Sequence, residues 1–231
     1  MAITKIKSIN QVLEHVTSDI EIVFFDIDNT LLVAADRPNV TQWVEALEKH
    51  VRTDYGPRHN LTRTEQDALI NEYIDEYIIA MQPQLIEEAA LDVISTLQQR
   101  KIHVIALTAR SEQIAATTTQ QLKQCGVNFS NHAFNPKEFN VNHFSFPIIF
   151  QDGIISGCHK SKGLAAQYFF KTTQFQPQGV ILIDDYRVFL EDAAVEFEKT
   201  LTAFKGLHYG YLDDQLKNAV VPHDALPARL R

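Results

Sequence analysis

The chain has 231 residues, of which 45% are hydrophobic and 22% charged, a balance typical of a soluble globular protein and not of a disordered one. The formal net charge of -8 disfavours nucleic acid as a partner, because an acidic surface repels a polyanion. The sequence contains neither a long apolar run nor a signal-peptide-like start, so we expect no membrane span and a protein that is cytoplasmic, or secreted without a cleaved signal peptide.

The first part of the chain predicts one buried strand followed by helices. Residues 21–26 are an apolar run, rich in β-branched and aromatic residues, that ends at acids, which is typical of a parallel strand buried on both faces. From about residue 40 to residue 97 the apolar residues recur at helical spacing. Pro57 and Pro83 are expected to divide this stretch into separate helices.

The second part of the chain alternates strands and helices. In chain order, the patterns predict a strand over 102–107, a helix over 111–124, a hairpin of strands 146–150 and 154–155 around Asp152-Gly153, a helix over 162–170, a strand over 179–183, a helix over 189–199 and a weaker edge strand over 208–212. This alternation predicts an α/β fold with a doubly wound, Rossmann-like parallel sheet.

Three of the predicted strands end in polar residues that suit a single site. Asp26 and Asp28 follow the first strand, Thr108 the second, and Asp184 and Asp185 the third. Because the carboxyl ends of parallel strands lie side by side, we expect these residues to converge. A carboxylate at Asp26 could attack phosphorus and form an aspartyl-phosphate, while Asp28 acts as acid toward the leaving group and as base toward water.

A phosphate dianion needs a cation to approach this cluster, because several carboxylates would repel it. Oxygen-only ligands from Asp26, Asp184 and Asp185 favour Mg²⁺ over zinc. Thr108 and the backbone amides after it could donate hydrogen bonds to the phosphoryl oxygens. Lys162, at a predicted helix start, could neutralise the remaining charge.

The segments FFDIDNTLL, VIALTAR, KG and VILIDD, in this order, resemble the haloacid dehalogenase (HAD) superfamily, over roughly residues 20–197. The resemblance implies a Rossmann-like core and Mg²⁺-dependent phosphatase chemistry. It also implies these site roles: Asp26 as nucleophile and metal ligand, Asp28 as acid/base with its backbone carbonyl on the metal, Thr108, Ala109 and Lys162 as phosphate ligands, and Asp184 and Asp185 as metal ligands, directly or through water.

The same resemblance implies a cap and a class of substrate. Residues 33–97 resemble the helical cap inserted in many members, with 1–32 and 98–231 forming the core. An acid/base Asp28 favours phosphate esters, because members with other chemistries generally lack it. The hairpin before Lys162 is similar to that of a bacterial branch known only as domains of unknown function. Some phosphatases that bacteria deliver into host cells share this architecture, so the expected partners are phosphorylated small molecules or phosphoproteins, including phosphotyrosine.

Several alternatives stay open at this point. The chain could be a catalytically inactive HAD-like binding domain, or a phosphotransferase that uses an alcohol acceptor. Lys160 competes with Lys162, either Asp184 or Asp185 could ligate the metal directly, and Arg110 could touch substrate or form a salt bridge on the next helix. The oligomeric state and the natural substrate are not predicted. Three aromatic residues are expected to pack between cap helices, with a pocket for an aromatic phosphate as the alternative: Trp43, Tyr73 and Tyr77.

Overall fold

The computed structural model describes residues 2–129, 139–141, 147–158, 161–217 and 220–230. The chain divides into two compact units: unit 1 comprises Met1–Leu32 and Leu85–Tyr211, and unit 2 comprises Val33–Gln84 and Leu212–Arg231. Within the described ranges, no helix is long and apolar enough to span a membrane.

The described part of the chain contains ten strands and nine α-helices, together with short 3-10 and π-helical turns. The strands are β1 (Ala2–Ile6), β2 (Ile20–Phe25), β3 (Leu32–Ala34), β4 (Pro83–Leu85), β5 (His103–Leu107), β6 (Phe139–Val141), β7 (Ile148–Gln151), β8 (Ile154–Ser156), β9 (Gly179–Asp184) and β10 (Ala203–Tyr209). The helices are α1 (Val12–His15), α2 (Val40–His50), α3 (Gly56–Arg58), α4 (Arg63–Ala80), α5 (Ala89–Gln99), α6 (Ala115–Gln124), α7 (Lys162–Thr173), α8 (Arg187–Phe197) and α9 (Asp213–Leu216).

Unit 1 is built on an eight-stranded sheet in the order β1-β10-β9-β2-β5-β8-β7-β6. The strands from β1 to β8 in this order pair in parallel, and β7 and β6 complete the sheet in antiparallel pairing. Because β5 and β9 flank β2 on opposite sides, the chain changes direction across the sheet there, and in such sheets binding sites lie at the carboxyl ends of the strands around that point. The predicted α/β fold is confirmed.

Both faces of this sheet are covered, which explains why its central strands are continuously apolar. On one face Val23 and Phe25 of β2 join a buried cluster that includes residues of α1, α5 and α6. On the other face Ile22 and Phe24 join a cluster that includes residues of α7 and α8. Successive side chains of one strand therefore pack in opposite layers, and a polar residue inside such a strand would lose its hydration without gain.

The turn between β7 and β8 follows the predicted hairpin. Gln151 pairs with Ile154, leaving Asp152 and Gly153 as a two-residue turn with φ values of 52° and 77°. Positive φ at both central residues is the requirement of a type I′ turn, which Asp-Gly meets at low cost. The predicted start of β7 at Phe146 lies outside the described residues.

The predicted edge strand over 208–212 is wrong in its bounds and its place. β10 spans Ala203–Tyr209 and lies between β9 and β1, so the edge on that side is β1, which the sequence analysis did not predict. Lys205 and His208 interrupt the apolar run of β10, and Thr4 and Lys5 of β1 are exposed, as edge residues are. Neither segment therefore carries the apolar signal that marks the central strands.

Pro57 does not separate two helices as predicted. A π-helical turn over Val51–Tyr55 connects α2 directly to α3, and Pro57 lies in the first turn of α3. Proline has no backbone N–H to donate, but the first turn of a helix does not need one there, so the helical path continues through the π turn into α3. The chain leaves the helix at Asn60 instead, whose φ is 54°.

Unit 2 packs α2 and α4 with the C-terminal segment. Trp43 of α2 lies against Tyr77 of α4, with ring centroids 4.4 Å apart, and its indole N–H donates to the carbonyl of Ala225 over 3.0 Å. Arg229 pairs with Glu76 over 2.9 Å. Trp43, Tyr73 and Tyr77 are all buried. These aromatic rings take part in packing, as the first of the two interpretations predicts, and they also line a cavity of unit 2, so the pocket for an aromatic phosphate stays a prediction.

The structural units and the sequence-based division have different bounds. The insertion expected over 33–97 includes most of α5, whose buried residues belong to the core of unit 1. The segment from residue 212 onward, assigned from the sequence to the core, belongs to unit 2. The assignment of residues 33–97 as a cap stays a prediction.

Glu87 links three segments of unit 1, and its removal should destabilise the protein. Its carboxylate accepts hydrogen bonds from the hydroxyl of Tyr209 (2.7 Å), the N–H of Ile9 (2.6 Å) and the hydroxyl of Ser8 (2.9 Å). Glu87→Ala leaves these donors without their acceptor, so we expect a loss of about 2–4 kcal/mol in the free energy of unfolding, measured by urea titration.

The neighbouring Glu88 is exposed and provides the matched control for this change. Glu88→Ala should change stability by less than about 0.5 kcal/mol. Equal losses in the two variants would show that the hydrogen bonds of Glu87 do not contribute specifically.

Candidate active site

The loop after β2 is a tight turn that starts at Asp26. The carbonyl of Ile27 accepts hydrogen bonds from the N–H groups of Leu31 (2.9 Å) and Leu32 (2.8 Å). Asn29 adopts the left-handed region with φ 61°, which asparagine tolerates better than most residues. The turn therefore keeps the polar residues that follow Asp26 close to the strand end.

A buried lysine joins two of the predicted acids. Lys162 Nζ donates to Asp26 Oδ1 over 2.5 Å and to Asp184 Oδ2 over 2.6 Å. Lys162 and Asp184 are 1% and 0% exposed, so water does not screen this pairing. The ammonium also lies 4.7 Å from the ring centroid of Phe189, which adds a cation–π contact.

The start of α7 holds Lys162 in place. The hydroxyl of Ser161 and the N–H of Gly163 both donate to one carboxylate oxygen of Asp192 in α8, over 2.7 and 3.2 Å. A Cβ on Gly163 would lie 2.8 Å from Cα of Ala193, so only glycine allows α7 to approach α8 this closely. The Lys-Gly pair therefore combines a charged side chain with the small residue that its placement requires.

Three carboxylates at the strand ends could hold a metal ion. Oxygen atoms of Asp26, Asp184 and Asp185 all lie within 4.8 Å of one another. Thr30 connects this group, because its hydroxyl donates to Asp26 over 3.3 Å and accepts from the N–H of Asp185 over 3.2 Å. The residues after β2 and β9 are thus joined by hydrogen bonds as well as by the sheet.

Burial and mutual repulsion perturb the charges of this cluster. Burial, opposed by Lys162 and reinforced by the charges of Asp184 and Asp28, raises the pKa of Asp26 from 3.8 to about 7. Burial likewise raises the pKa of Asp184, and it raises the pKa of Asp185 together with the charges of Asp26 and Asp184.

The pKa of Lys162 is also raised, which shows how strongly the acids surround it. Burial alone would lower the pKa of Lys162, but the charges of Asp184 and Asp26 outweigh it and raise the pKa above its usual value. One lysine therefore faces more negative charge than it can neutralise, which is the environment that a bound cation relieves.

The side chain of Asp28 is not part of the candidate metal-binding group. Its two carboxylate oxygens accept hydrogen bonds from Arg110, each over 2.8 Å. Arg110 therefore forms a salt bridge, as one of the two interpretations expects, but the partner is Asp28 after β2 and not a residue of the next helix. The side-chain guanidinium is 1% exposed, which leaves no room for contact with a substrate.

Thr108 and Ala109 occupy the end of β5. The sheet register pairs Phe25 with Ala106, so Asp26 and Thr108 leave neighbouring strands almost side by side. Thr108 is buried and Ala109 partly exposed. The hydroxyl oxygen of Thr108 accepts from the N–H of Arg110 over 3.2 Å, which orients it.

A thiol nucleophile is not available at this edge of the sheet. Cys158 is buried close to Thr108, with its N–H donating to the Thr108 carbonyl over 3.1 Å. Burial raises the pKa of the Cys158 thiol to about 12, so the thiol stays protonated at neutral pH.

Sequence reasoning missed residues that support the site. Thr30 and Asp192 link its parts, and His208 Nε2 lies 3.0 Å from the carbonyl of Asp185. Because a carbonyl only accepts, that ring nitrogen carries the hydrogen. Thr30 belongs to the same short segment as Asp26 and could have been singled out from its spacing, whereas no local pattern marks the other two. Lys160, the alternative to Lys162, lies outside the described residues.

Fold and site together define an α/β protein with a buried lysine and a candidate metal-binding aspartate group at the carboxyl edge of a mostly parallel sheet. The chain belongs to the family described as "Protein of unknown function (DUF2608)", whose model matches residues 2–226. This confirms the predicted resemblance to a branch known only as domains of unknown function. No curated protein matches the sequence.

Solved structures similar to this chain include HAD-like proteins. A haloacid dehalogenase-like family hydrolase from Streptococcus pneumoniae has a TM-score of 0.46 at 13% identity, over 82% of this chain and 95% of that chain. The HAD domain of the effector protein Lem4 from Legionella pneumophila, an inactive mutant, has a TM-score of 0.44 at 15% identity, over 92% and 99%. A HAD family enzyme from Bacteroides thetaiotaomicron has a TM-score of 0.45 at 12% identity, over 87% and 99%.

Replacing Lys162 should destabilise the protein in a pH-dependent way. Lys162→Met leaves two buried carboxylates without their cation, and we expect a loss of about 3–5 kcal/mol in unfolding free energy at pH 8. A carboxyl whose folded pKa exceeds its unfolded value binds more protons when folded, so its contribution to stability falls as pH rises, here between 3.8 and about 7 for Asp26. Without the lysine this pKa rises further, and the loss should be smaller at pH 5, where the carboxyls are neutral.

Thermal and urea unfolding at both pH values, without divalent cations, measure this effect. Lys171→Met is the matched control, because Lys171 is exposed in the last turn of the same helix. A loss that is independent of pH would contradict the role assigned to the buried ion pair.

Proposed function

We propose that this protein is a Mg²⁺-dependent phosphomonoesterase that acts through an aspartyl-phosphate on Asp26. The observation that carries the proposal is the position of Lys162 Nζ, which lies 2.5 Å from Asp26 and 2.6 Å from Asp184 at the point where β2 and β9 end. A buried ammonium beside a carboxylate cluster favours the binding of an anion together with a divalent cation, and a phosphate ester is the substrate that the four ordered sequence motifs imply.

The donor set fits Mg²⁺. Asp26, Asp184 and Asp185 offer carboxylate oxygens only, and Mg²⁺ prefers oxygen ligands, commonly a few carboxylates with waters and substrate oxygens. Three carboxylates against one ammonium leave an excess of negative charge in a largely buried site, as the raised carboxyl pKa values indicate. When bound, the cation would draw the substrate phosphate toward the carboxylates and reduce their mutual repulsion.

Asp26 would be the nucleophile. Lys162 and Thr30 orient its two oxygens, and the lysine charge favours its ionised form. Attack by a carboxylate oxygen on phosphorus forms the acyl-phosphate bond as the bond to the ester oxygen breaks. Thr108, whose hydroxyl oxygen is already oriented by a backbone N–H, can donate its hydrogen to a phosphoryl oxygen.

Asp28 would carry the proton transfers. It donates a proton to the leaving ester oxygen in the first step. In the second step water attacks the phosphorus, Asp28 accepts the water proton, and the bond to Asp26 breaks to release inorganic phosphate. Asp28 ends each cycle protonated, so no further acid is consumed.

The nature of the substrate follows from the expected cap. We propose that the cap expected over residues 33–97 selects the substrate, which is a phosphorylated small molecule or a phosphoprotein, with phosphotyrosine among the candidates. A panel of phosphorylated metabolites, nucleotides and phosphotyrosine peptides, assayed with Mg²⁺, identifies it.

The Asp26→Asn variant tests the nucleophile. The wild-type protein should hydrolyse para-nitrophenyl phosphate only with Mg²⁺, and Asp26→Asn should abolish turnover, because an amide cannot form the acyl-phosphate. Release of nitrophenol and of phosphate is followed in parallel, with and without an added alcohol, since a phosphotransferase would release less phosphate than nitrophenol.

Asp92→Asn is the matched control, because Asp92 is an exposed aspartate in the first turn of α5 and belongs neither to the candidate metal group nor to its hydrogen-bond partners. It should keep the wild-type rate. Robust hydrolysis by Asp26→Asn would sink the nucleophile assignment, and a wild-type protein without any turnover over the whole substrate panel would favour the binding-domain alternative.

Mg²⁺ should stabilise the folded protein more at high pH than at low pH. The cation binds ionised carboxylates, whereas burial raises the pKa of Asp26 to about 7, so protons compete with the cation at pH 5.5 but not at pH 8. At a Mg²⁺ concentration of 100 times the dissociation constant, we expect about 2.7 kcal/mol of added stability at pH 8, measured by thermal unfolding.

Two variants control this measurement. Asp184→Asn should lose the stabilisation, because Asp184 contributes to the candidate metal group. Glu198→Gln, which removes an exposed charge, should keep it. A stabilisation that is equal at both pH values, or that survives in Asp184→Asn, would place the cation elsewhere.

A further inference from the structure

Arg110 holds both oxygens of the Asp28 carboxylate. Its Nε donates to Oδ2 and its Nη2 to Oδ1, each over 2.8 Å. Two parallel hydrogen bonds fix the plane of a carboxylate as well as its position, which a single contact does not. Since Asp28 follows β2 and Arg110 follows β5, this contact joins the ends of two neighbouring strands.

Arg110 is itself fixed by further hydrogen bonds. Its Nη1 donates to Gln121 over 2.7 Å and to Thr118 over 3.4 Å, both in α6. Its N–H donates to the hydroxyl of Thr108, and its carbonyl accepts from the N–H of Gly157 over 2.7 Å. Side chain and backbone are therefore both anchored, and the guanidinium cannot shift without breaking several hydrogen bonds.

The two partners differ in their exposure to solvent. The side chain of Arg110 is 1% exposed and that of Asp28 is 21% exposed. Asp28 is also near enough to Asp26 for its charge to contribute to the raised pKa of Asp26. A partly exposed carboxylate beside the nucleophile, backed by a buried guanidinium, can contact the substrate, whereas the guanidinium cannot.

We propose that Arg110 is a positioning residue that aims the Asp28 carboxylate at the ester oxygen of the substrate. This inference rests on the proposed function, because it assigns Arg110 a role in the proton transfers of Asp28. Each carboxylate oxygen has two lone pairs, and Arg110 occupies one on each oxygen. The second lone pair remains for the proton that passes to the leaving oxygen as its bond to phosphorus breaks, and that returns from water in the next step.

This role predicts a dependence on the leaving group. An alkoxide is a poor leaving group and needs protonation as it departs, whereas nitrophenolate departs as the anion. Misplacing Asp28 should therefore slow the hydrolysis of alkyl phosphates far more than the hydrolysis of para-nitrophenyl phosphate. General destabilisation of the fold would slow both substrates by the same factor.

The experiment compares kcat/KM for para-nitrophenyl phosphate and for an alkyl phosphate, glycerol phosphate, in the wild-type protein and in Arg110→Gln with Mg²⁺. We expect the alkyl phosphate rate to fall by about a hundredfold, the scale of general acid catalysis, and the nitrophenyl rate to fall by less than about fivefold. Arg110→Lys should recover part of the loss, because one ammonium replaces only one of the two contacts. Arg100→Gln, an exposed arginine after α5, is the matched control and should change neither rate.

A second variant keeps Arg110 and tests the same idea without removing the charge. Gln121→Met removes the 2.7 Å contact behind the guanidinium and should shift the ratio of the two rates in the same direction by a smaller factor. In the Asp28→Asn background, Arg110→Gln should lower kcat/KM for the alkyl phosphate by less than about a further threefold, because Arg110 acts through Asp28. Equal losses for both substrates, or additive losses with Asp28→Asn, overturn the positioning role.

A crystal structure of Arg110→Gln provides a readout that does not require turnover. The Asp28 carboxylate should leave its wild-type position relative to Asp26, and an unchanged position overturns the inference even if the protein hydrolyses nothing. Absence of wild-type turnover refutes the proposed function and with it the role in proton transfer, whereas the crystal structure still tests whether Arg110 positions Asp28. The two results are therefore distinguishable.

Discussion

The ion pair of Lys162 with Asp26 and Asp184 is the interaction on which the site depends. Its members come from three separate elements, the ends of β2 and β9 and the first turn of α7. Taking such charges out of water costs several kcal/mol per ion, and only good geometry offsets the cost. A small displacement of any one element would leave a buried charge unpaired. The cluster therefore forms only if the surrounding elements are positioned accurately. Its net contribution to stability is small, because desolvation offsets most of the attraction between the charges.

The packing of α7 against α8 provides that accuracy. Gly163 permits the close approach of the two helices, and Asp192 of α8 binds the residues on either side of Lys162. The lysine is thus placed by the backbone of its own helix, and its long side chain does not have to find its position alone. This arrangement explains physically why a lysine followed by glycine is a more informative pattern than a lysine by itself.

The sequence was sufficient for the candidate site because the signals there are local. Unbroken apolar runs end at Asp26 and Asp184, and runs of that kind form strands buried on both faces. The edge of the sheet lacked such a signal, since β1 is short and half exposed and β10 carries polar residues. The contact between Arg110 and Asp28 spans 82 positions of the chain. Both residues could be singled out from the sequence. Their spacing along the chain, however, does not show that their side chains point toward each other.

Asp26 and Asp28 are one residue apart, yet the structure gives them opposite surroundings. Ile27 between them is fully buried, and its carbonyl anchors the turn, so the backbone around it is fixed. Asp26 faces a buried ammonium and two other carboxylates, where burial opposes its charge and a cation would restore it. Asp28 is more exposed and is held by a guanidinium that stays charged at every accessible pH. Two like side chains can take different catalytic roles, as the proposed function requires, only if their environments differ. Here the difference comes from the cation beside each one: Lys162 of α7 for Asp26, and Arg110 after β5 for Asp28.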